Sequence, residues 1–211
     1  MPPLQLSILP PPQRQLWDEL SQVPESFVLY GGTAIALQLG HRESQDFDFF
    51  ARTAVDPTVL PARIPFLADA EVVQVEPDTL TARVDRGGPV LVSFFGVPKL
   101  PVLRAPVHVD HPRLRIGDLL ELGGMKALVV QKRAEAKDYL DLHALITLAR
   151  LPLPELLAAA AFLYGPVYAP ESTLKALAYY DDGDLANVPA GVRQDLLRAV
   201  RTCDPGRLPT W

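Results

Sequence analysis

The chain has 211 residues, of which 48% are hydrophobic and 21% are charged, and its formal net charge is −5. This length allows one sizeable domain or two small ones, and the hydrophobic content excludes a wholly disordered chain. The acidic balance is the opposite of the basic surplus that general nucleic-acid-binding proteins carry, so an RNA contact would need a local basic patch.

Three features of the sequence bear on where the protein works. No apolar run approaches ~18 residues, so we expect no membrane span. The start of the chain, Met1-Pro2-Pro3, lacks the basic and apolar regions of a signal peptide. The single cysteine, Cys203, excludes an internal disulfide and fits a reducing environment. We therefore expect a cytoplasmic protein.

The first half of the chain alternates short helical and extended patterns. In chain order we predict a helix over 13–20, a strand over 27–30, a helix over 33–39, a strand over 47–50, an ambiguous segment over 57–67 with proline breaks, and strands over 71–75, 80–84, 90–95 and 107–109.

From Gly117 onward the composition shifts towards Leu and Ala, and the pattern becomes helical. Helices are predicted over 118–132, 135–149, 154–164, 171–180 and 192–201. The expected fold is therefore α+β. A mixed β-sheet flanked by helices occupies residues 1–116, which begin with a Pro-rich stretch, and a helical subdomain in residues 117–211 completes a cleft.

A glycine pair, Gly31-Gly32, follows the apolar run 27–30 and precedes a short helical pattern that begins at Thr33. Glycines at such a junction let backbone N–H groups approach a phosphate. They also suit an ordinary strand-to-helix turn, which is the alternative when the pair is taken alone. The Thr33 hydroxyl could cap the helix, contact a phosphate, or do both.

Two carboxylates, Asp46 and Asp48, alternate along the next strand pattern, among Phe47, Phe49 and Phe50. Side chains two residues apart on a strand point to the same side of the sheet. Carboxylates held together repel each other, and a shared divalent cation with oxygen ligands relieves the repulsion. The large apolar neighbours disfavour a plain solvated strand. A glycine junction before such a pair predicts a nucleoside triphosphate site with Mg²⁺ held by Asp46 and Asp48.

These residues support a family resemblance. The segment GGTAIAL, then His41-Arg42, Ser44 and the run 46–50 (DFDFF), resembles the first motif of the DNA polymerase β-like nucleotidyltransferases, and most of all their AbiEii/AbiGii toxin branch. A second block carries the resemblance further, and it comprises IGDLL (116–120), Met125-Lys126, Arg133 and KDYLDL (137–142). A third, LKALAYYDD (174–182), extends it over most of the chain.

The resemblance implies a bacterial toxin that transfers a nucleotide from an NTP to an acceptor and releases pyrophosphate. It implies Mg²⁺ as cofactor, tRNA as the acceptor known for some relatives, and a cognate antitoxin as partner. Its catalytic residues would be Asp46, Asp48, Lys126, Asp138 and Asp141. Its nucleotide-binding residues would be Gly31, Gly32, Thr33, Arg42, Ser44, Lys126 and Lys137.

Several of these residues also have structural interpretations. If one continuous helix ran through them, Lys126, Arg133 and Lys137 would form a cationic stripe that suits a triphosphate. The same charges could instead form a solvated helix face, and Lys137 with Asp141 could be an ordinary helix salt bridge. Asp138 or Asp141 is a candidate base. Arg42 could pair with a carboxylate instead of a phosphate.

The sequence departs from the family pattern at one position. A third carboxylate is expected on the strand predicted at 90–95, and that strand has no acidic residue. Its absence supports one alternative, a nucleotide-binding protein with weak or no catalysis. A second alternative is a protein-interaction module that retains the fold and uses its apolar C-terminal helices as an interface. An antibiotic-modifying nucleotidyltransferase is a further alternative within the enzyme class.

Overall fold

The computed structural model describes residues 3–210, which form two compact units. The first unit comprises the chain up to Leu100 together with Ala105–Gly117. The second comprises Pro101–Arg104 together with the chain from Asp118 onward. The main division therefore follows Gly117, whereas the boundary predicted from sequence lies between residues 116 and 117. The excursion Pro101–Arg104 has no counterpart in the prediction, and the cleft between subdomains stays a prediction.

The first unit is built on a seven-stranded mixed sheet of order β3-β4-β5-β2-β1-β7-β6. The strands are β1 (Phe27–Tyr30), β2 (Phe47–Ala51), β3 (Glu71–Glu76), β4 (Thr79–Asp85), β5 (Pro89–Gly96), β6 (Val107–Val109) and β7 (Leu114–Ile116). The central pair β1 and β2 is antiparallel, while β2 runs parallel to β5 and β1 runs parallel to β7.

Aromatic side chains fill the middle of this sheet. All four residues of β1 are buried, as expected for a central strand covered on both faces. In β2, Phe47 and Phe49 are fully buried, and Phe49 stacks on Phe94 of β5 with ring centroids 5.4 Å apart. Complete burial of one such side chain contributes about 1.5–3 kcal/mol. This apolar packing fixes the register of β2, and hence the position of Asp48 within it.

Three α-helices belong to the first unit: α1 (Pro11–Leu16), α2 (Gly31–Leu39) and α3 (Leu60–Arg63). Short 3₁₀ turns follow α1 at Trp17–Gln22 and α3 at Pro65–Leu67. The segment predicted as ambiguous at 57–67 is thus a helix broken by proline, because Pro65 removes a backbone donor where α3 would continue.

The second unit is helical, with α4 (Leu119–Lys132), α5 (Ala136–Thr147), α6 (Leu153–Tyr164), α7 (Pro170–Leu177) and α8 (Ala190–Thr202). The Asp118 side chain caps α4 by accepting a hydrogen bond from the Leu120 N–H. Helices α4 and α6 approach closely at Gly124, since a Cβ there would lie 2.8 Å from the Ala160 nitrogen. No helix among residues 3–210 is long and apolar enough to cross a membrane.

The predicted α+β fold, a mixed sheet flanked by helices followed by a helical part, is confirmed. One local prediction is wrong. Helix α2 begins at Gly31 and not at Thr33, so the glycine pair forms the first turn of the helix. The break predicted between the helices at 118–132 and 135–149 is confirmed, because Arg133 has an extended backbone (φ −150°, ψ 147°) that ends α4. The short strand β7 has no counterpart among the predicted elements.

Candidate active site

The junction between β1 and α2 brings a glycine against a carboxylate. Gly31 has φ +72°, a conformation that favours glycine. A Cβ at this position would lie 2.5 Å from Oδ2 of Asp48. The register explains the proximity, because Tyr30 of β1 is directly opposite Asp48 of β2. The structure therefore places Asp48 against the start of α2, as a nucleotide site with both features requires.

Helix α2 offers backbone donors at this same point. The first N–H groups of a helix have no partner within the helix, and the helix dipole adds partial positive charge there. In α2 the first turn comprises Gly31, Gly32 and Thr33, and the two glycines add no side chains of their own over its backbone. Such an arrangement suits phosphate oxygens.

The two predicted metal ligands lie on different kinds of backbone. Asp48 is the second residue of β2 and is half-buried, whereas Asp46 is exposed in the segment just before the strand. The period-two argument therefore applies to Asp48 but not to Asp46. The position of Asp46 is set instead by contacts of its own backbone.

Those contacts come from a pair of buried hydroxyls. The Thr33 hydroxyl donates a short hydrogen bond to the Asp46 carbonyl, and the hydroxyl oxygens of Thr33 and Ser44 lie 2.7 Å apart. The Gln45 carbonyl, one residue away, accepts a bond of 2.8 Å from the Gln13 side chain. The Thr33 contacts tether the segment 44–46 to the first turn of α2, and the Gln13 bond ties the same segment to α1. The predicted phosphate contacts of Thr33 and Ser44 stay predictions, but in this structure both hydroxyls bind protein.

A third carboxylate would be expected beside Asp48, but the structure has a serine, Ser93, at that position. Ser93 of β5 is directly opposite Asp48 in the parallel β2–β5 ladder. Ser93 is buried and accepts a 3.2 Å hydrogen bond from the Thr81 hydroxyl of β4. A pair of hydroxyls thus occupies the place of the expected acid.

The donor set fits a magnesium ion that is completed by a substrate. Within residues 3–210 no group of three or more His, Cys, Asp or Glu side chains is arranged to hold a metal. Magnesium at phosphate-transfer sites is usually held by one or two carboxylates together with substrate phosphates and water. Asp46 and Asp48 match that requirement in number and in chemistry.

Arg42 lies near this segment in sequence and donates a hydrogen bond of 2.8 Å to the Glu43 carbonyl. Its side chain is half-buried. Its predicted role in nucleotide binding stays a prediction.

The second unit contains a separate cluster of buried charges. The Lys126 ammonium lies 2.5 Å from Oδ1 of Asp138 and 2.8 Å from Oδ2 of Asp141. Both carboxylates are fully buried, and the Lys126 side chain is 8% exposed. The two aspartates, one turn apart on α5, therefore face the same cation from α4.

Arg133 completes this cluster. Its Nε lies 2.8 Å from Oδ2 of Asp138, and a second nitrogen lies 3.1 Å from Oδ1, so the guanidinium binds the carboxylate through two bonds. Burial by itself would raise the pKa of Asp138. The hydrogen bond from Arg133 and the charge of Lys126 outweigh burial and lower that pKa. A carboxyl with a lowered pKa is a poor base, which counts against a base role for Asp138.

The cationic stripe required one continuous helix, and it does not form because α4 ends before Arg133. The cations are instead paired with carboxylates, with Asp138 shared by Lys126 and Arg133. Lys126 is buried against the aspartates, while Lys137 lies 3.0 Å from Glu135 and is about half-exposed. The alternative salt bridge between Lys137 and Asp141 is replaced by these two pairings. The positions of Lys126 and Lys137 do not test whether they contact a triphosphate, so those contacts stay predictions.

Arg133 is the residue whose role sequence reasoning missed, since its pattern favours a solvated face. The signal lay in the break predicted between the helices at 118–132 and 135–149, where the run 131–137 has no apolar residue for a helix to bury except alanine. A helix break there turns Arg133 back towards the first turn of α5, where Asp138 lies.

The glycine junction, the carboxylate pair and the mixed sheet together define a nucleotidyltransferase-like protein. Comparison with known proteins makes the assignment specific. The family described as nucleotidyl transferase AbiEii toxin, type IV TA system, matches residues 14–209. The chain belongs to this family and is a nucleotidyltransferase.

Individual relatives are more distant. The chain is 29% identical over 158 residues to an uncharacterized protein of Aquifex aeolicus (strain VF5), which covers 74% of each chain. A crystal structure of a protein from H. pylori shares the fold, with a TM-score of 0.56, 17% identity and 89% of each chain covered. MenT4, a nucleotidyltransferase toxin from Mycobacterium tuberculosis H37Rv, matches with a TM-score of 0.42, 20% identity and 89% of each chain covered.

Proposed function

We propose that this protein transfers a nucleoside monophosphate from an NTP to a hydroxyl of an RNA acceptor, with Mg²⁺ and with release of pyrophosphate. The observation that carries the proposal is the close approach of the Asp48 carboxylate to Gly31 at the start of α2. In the proposal, this carboxylate binds the metal and the start of α2 binds the phosphates. Family membership supports nucleotidyl transfer and a toxin role. The partners proposed with this activity are an RNA acceptor, tRNA above all, and a cognate antitoxin.

Different residues of the first unit would bind the metal and the phosphates. Asp46 and Asp48 would hold Mg²⁺, which when bound neutralises phosphate charge and orients the α-phosphate. The N–H groups in the first turn of α2 would bind the phosphate oxygens from the other side. The tether from Thr33 to the segment 44–46 holds Asp46 in place before substrate arrives, so less ordering is needed when the nucleotide binds.

The chemical step is an in-line displacement at the α-phosphorus. The acceptor hydroxyl oxygen forms a bond to this phosphorus, and the bond from the phosphorus to the oxygen that bridges to the β-phosphate breaks. The bridging oxygen leaves with the electron pair as pyrophosphate, and the hydroxyl proton passes to water. Such a reaction relies mainly on positioning and electrostatic stabilisation by the protein. The step as written does not require Lys126, Asp138 or Asp141 of the second unit, and the catalytic roles predicted for them from sequence stay predictions.

The test is transfer of label to total RNA from each of the four NTPs, labelled at either the α- or the γ-phosphate. The proposal expects label in RNA only from α-labelled NTP, only with Mg²⁺, and with a loss of at least a hundredfold in Asp48→Asn. Asp69→Asn, a change at an exposed aspartate outside the site, is the matched control and should be unaffected. Label transferred from the γ-phosphate, or undiminished transfer by Asp48→Asn, would refute the proposal.

A further inference from the structure

Strand β3 is the terminal strand of the seven-stranded sheet, and it is unusual in its exposure. All six of its residues are exposed. Three of them are valines with exposed fractions of 49% (Val72), 47% (Val73) and 51% (Val75). Edge strands present a row of backbone N–H and C=O groups to pairing with another chain, and proteins usually surround such edges with charge. Here apolar side chains stand beside that row.

A β-bulge puts two of the valines in phase. In the β3–β4 ladder, Val72 pairs with Ala82 and Val75 pairs with Leu80, and the register shifts by one residue between Val72 and Gln74. In a regular strand, residues three apart point to opposite faces. The extra residue, Val73, cancels this, so that Val72 and Val75 share the face of Ala82 and Leu80.

That face is continuous with the core of the first unit. Ala82 and Leu80 are almost completely buried, and the 3₁₀ turn Pro65–Leu67 packs against β4. On β3 the same apolar face continues with Val72 and Val75, but there it is exposed to solvent. An apolar sheet face that extends past its cover is typical of a surface that another chain covers.

The opposite face of β3 is acidic. Glu71, Gln74 and Glu76 pair across the ladder with Arg83, Thr81 and Thr79, away from the valine face. Residues 69–86 contain five acidic residues and two arginines, a net charge of −3, which is more than half of the net charge of the whole chain. Both arginines are already engaged, because Arg83 lies 2.7 Å from Glu71 and Arg86 lies 2.6 Å from Glu19.

We propose that β3 is a docking edge for an extended segment of another protein, which adds to the sheet as an eighth strand. The segment would alternate aliphatic and basic residues, so that aliphatic side chains cover Val72 and Val75 while Lys or Arg side chains meet Glu71 and Glu76. Backbone pairing supplies affinity in this kind of recognition, and the alternating side chains supply specificity. A second copy of this chain fits less well, since antiparallel self-pairing sets Glu71 opposite Glu76.

The test uses two labelled peptides of about six residues, one alternating Val with Lys and the other alternating Val with Glu, titrated against the whole protein by fluorescence anisotropy. We expect saturable binding of the Val-Lys peptide, at least tenfold tighter than that of the Val-Glu peptide. Val75→Lys should weaken binding at least tenfold. Val167→Lys, at an exposed valine of the second unit, is the matched control and should have no effect. In hydrogen exchange, bound peptide should slow the amides of residues 71–76.

Glu76→Lys should reduce the preference for the Val-Lys peptide by at least fivefold while keeping the fold, since this side chain is exposed. Absence of saturable binding to the wild type, equal affinity for the two peptides, or an equal loss in Val167→Lys would overturn the proposal. A dimer in sedimentation that Val75→Lys dissociates would show that a second copy, and not a foreign segment, covers the edge.

Discussion

The Cα of Gly31 and the carboxylate of Asp48 are close enough that the glycine and the acid constrain each other. We expect Gly31→Ala to destabilise the protein by roughly 1 kcal/mol or more, because φ +72° is unfavourable for alanine. The new methyl group would also displace Oδ2 of Asp48, which lies 2.5 Å from its position. The carboxylate can rotate away, so the larger effect should be weaker binding of the metal and nucleotide, by about tenfold or more.

The matched control for this prediction is Gly191→Ala. Gly191 lies in the first turn of α8 and has no positive φ, and a methyl group added there would meet no atom within 4 Å. Alanine at this position should be neutral or slightly stabilising, since it favours helix. Urea unfolding and Mg²⁺–nucleotide titration of both variants make the comparison. Gly31→Ala with wild-type stability and wild-type affinity would show that the contact does not constrain the site.

Asp138 gives a pH-dependent prediction. Its pKa is lowered in the folded protein, so as the pH falls the unfolded chain takes up a proton first. The stabilisation is complete above the ordinary carboxyl pKa of about 4 and is lost as the pH falls through the folded value. At neutral pH, Asp138→Asn should cost roughly 3–5 kcal/mol, because Lys126 and Arg133 lose a buried partner.

The difference in unfolding free energy between the wild type and Asp138→Asn should therefore shrink below about pH 4. Urea denaturation at a series of pH values measures it. Asp195→Asn is a useful reference because its pKa is also lowered, chiefly by a hydrogen bond with His143, but on the surface. A difference for Asp138→Asn that stays constant from pH 7 to pH 3 would contradict the assigned ion pairs.

At the scale of elements, the tether between α2 and the segment 44–46 makes a graded prediction. Thr33→Val removes the bond to the Asp46 carbonyl and the contact with Ser44, whereas Ser44→Ala removes only the contact. Thr33→Val should cost about 1–3 kcal/mol and Ser44→Ala about 1 kcal/mol. Thr33→Ser should keep most of the wild-type stability, because serine retains the hydroxyl. Unfolding measurements with transfer kinetics test this, and a larger effect of Ser44→Ala than of Thr33→Val would contradict it.

The contact between α4 and α6 predicts a change opposite to helix propensity. Alanine is favoured over glycine in a helix by about 1 kcal/mol. At Gly124, however, a Cβ would lie 2.8–2.9 Å from backbone atoms of Ala159 and Ala160, which cannot rotate away. Gly124→Ala should therefore destabilise the protein by about 1–3 kcal/mol. Gly123→Ala should cost less, because its nearest atom is the end of the Leu156 side chain. Thermal unfolding of the two variants checks the order.

Most elements were predictable from sequence because their signals are local. The buried run of β1 and the alternation of Glu71–Glu76 are visible in the printed residues, and so are the Leu- and Ala-rich helices of the second unit. The start of α2 at Gly31 could not be predicted from sequence, because a glycine pair is typical of a turn. The position of Asp48 next to Gly31 is visible only in the structure. The three-residue strand β7 is too short to show a period and exists through its pairing with β1 and β6.

The candidate site shows the same division between local and non-local information. Residue types and order predicted Gly31, Asp46, Asp48 and Lys126 as candidate residues. The structure adds contacts of Gly31, Asp48 and Lys126 and of the Asp46 backbone. The hydroxyl tether of Asp46 and the ion pair of Arg133 depend on chain reversals that spacing alone does not encode. The absence of an acid around Ser93 is visible in the sequence, but its pairing with Asp48 required the sheet order.

For the molecule as a whole, the proposed function requires that nucleotide and metal bind together at Asp46 and Asp48. Isothermal titration of the wild type with each NTP, with and without Mg²⁺, measures this directly, and Asp46→Asn, Asp48→Asn and the control Asp69→Asn complete the set. We expect binding of at least one NTP that needs Mg²⁺, falls at least tenfold in either site variant, and is unchanged in the control. Binding that persists without Mg²⁺, or that is equally strong in Asp48→Asn, would contradict it.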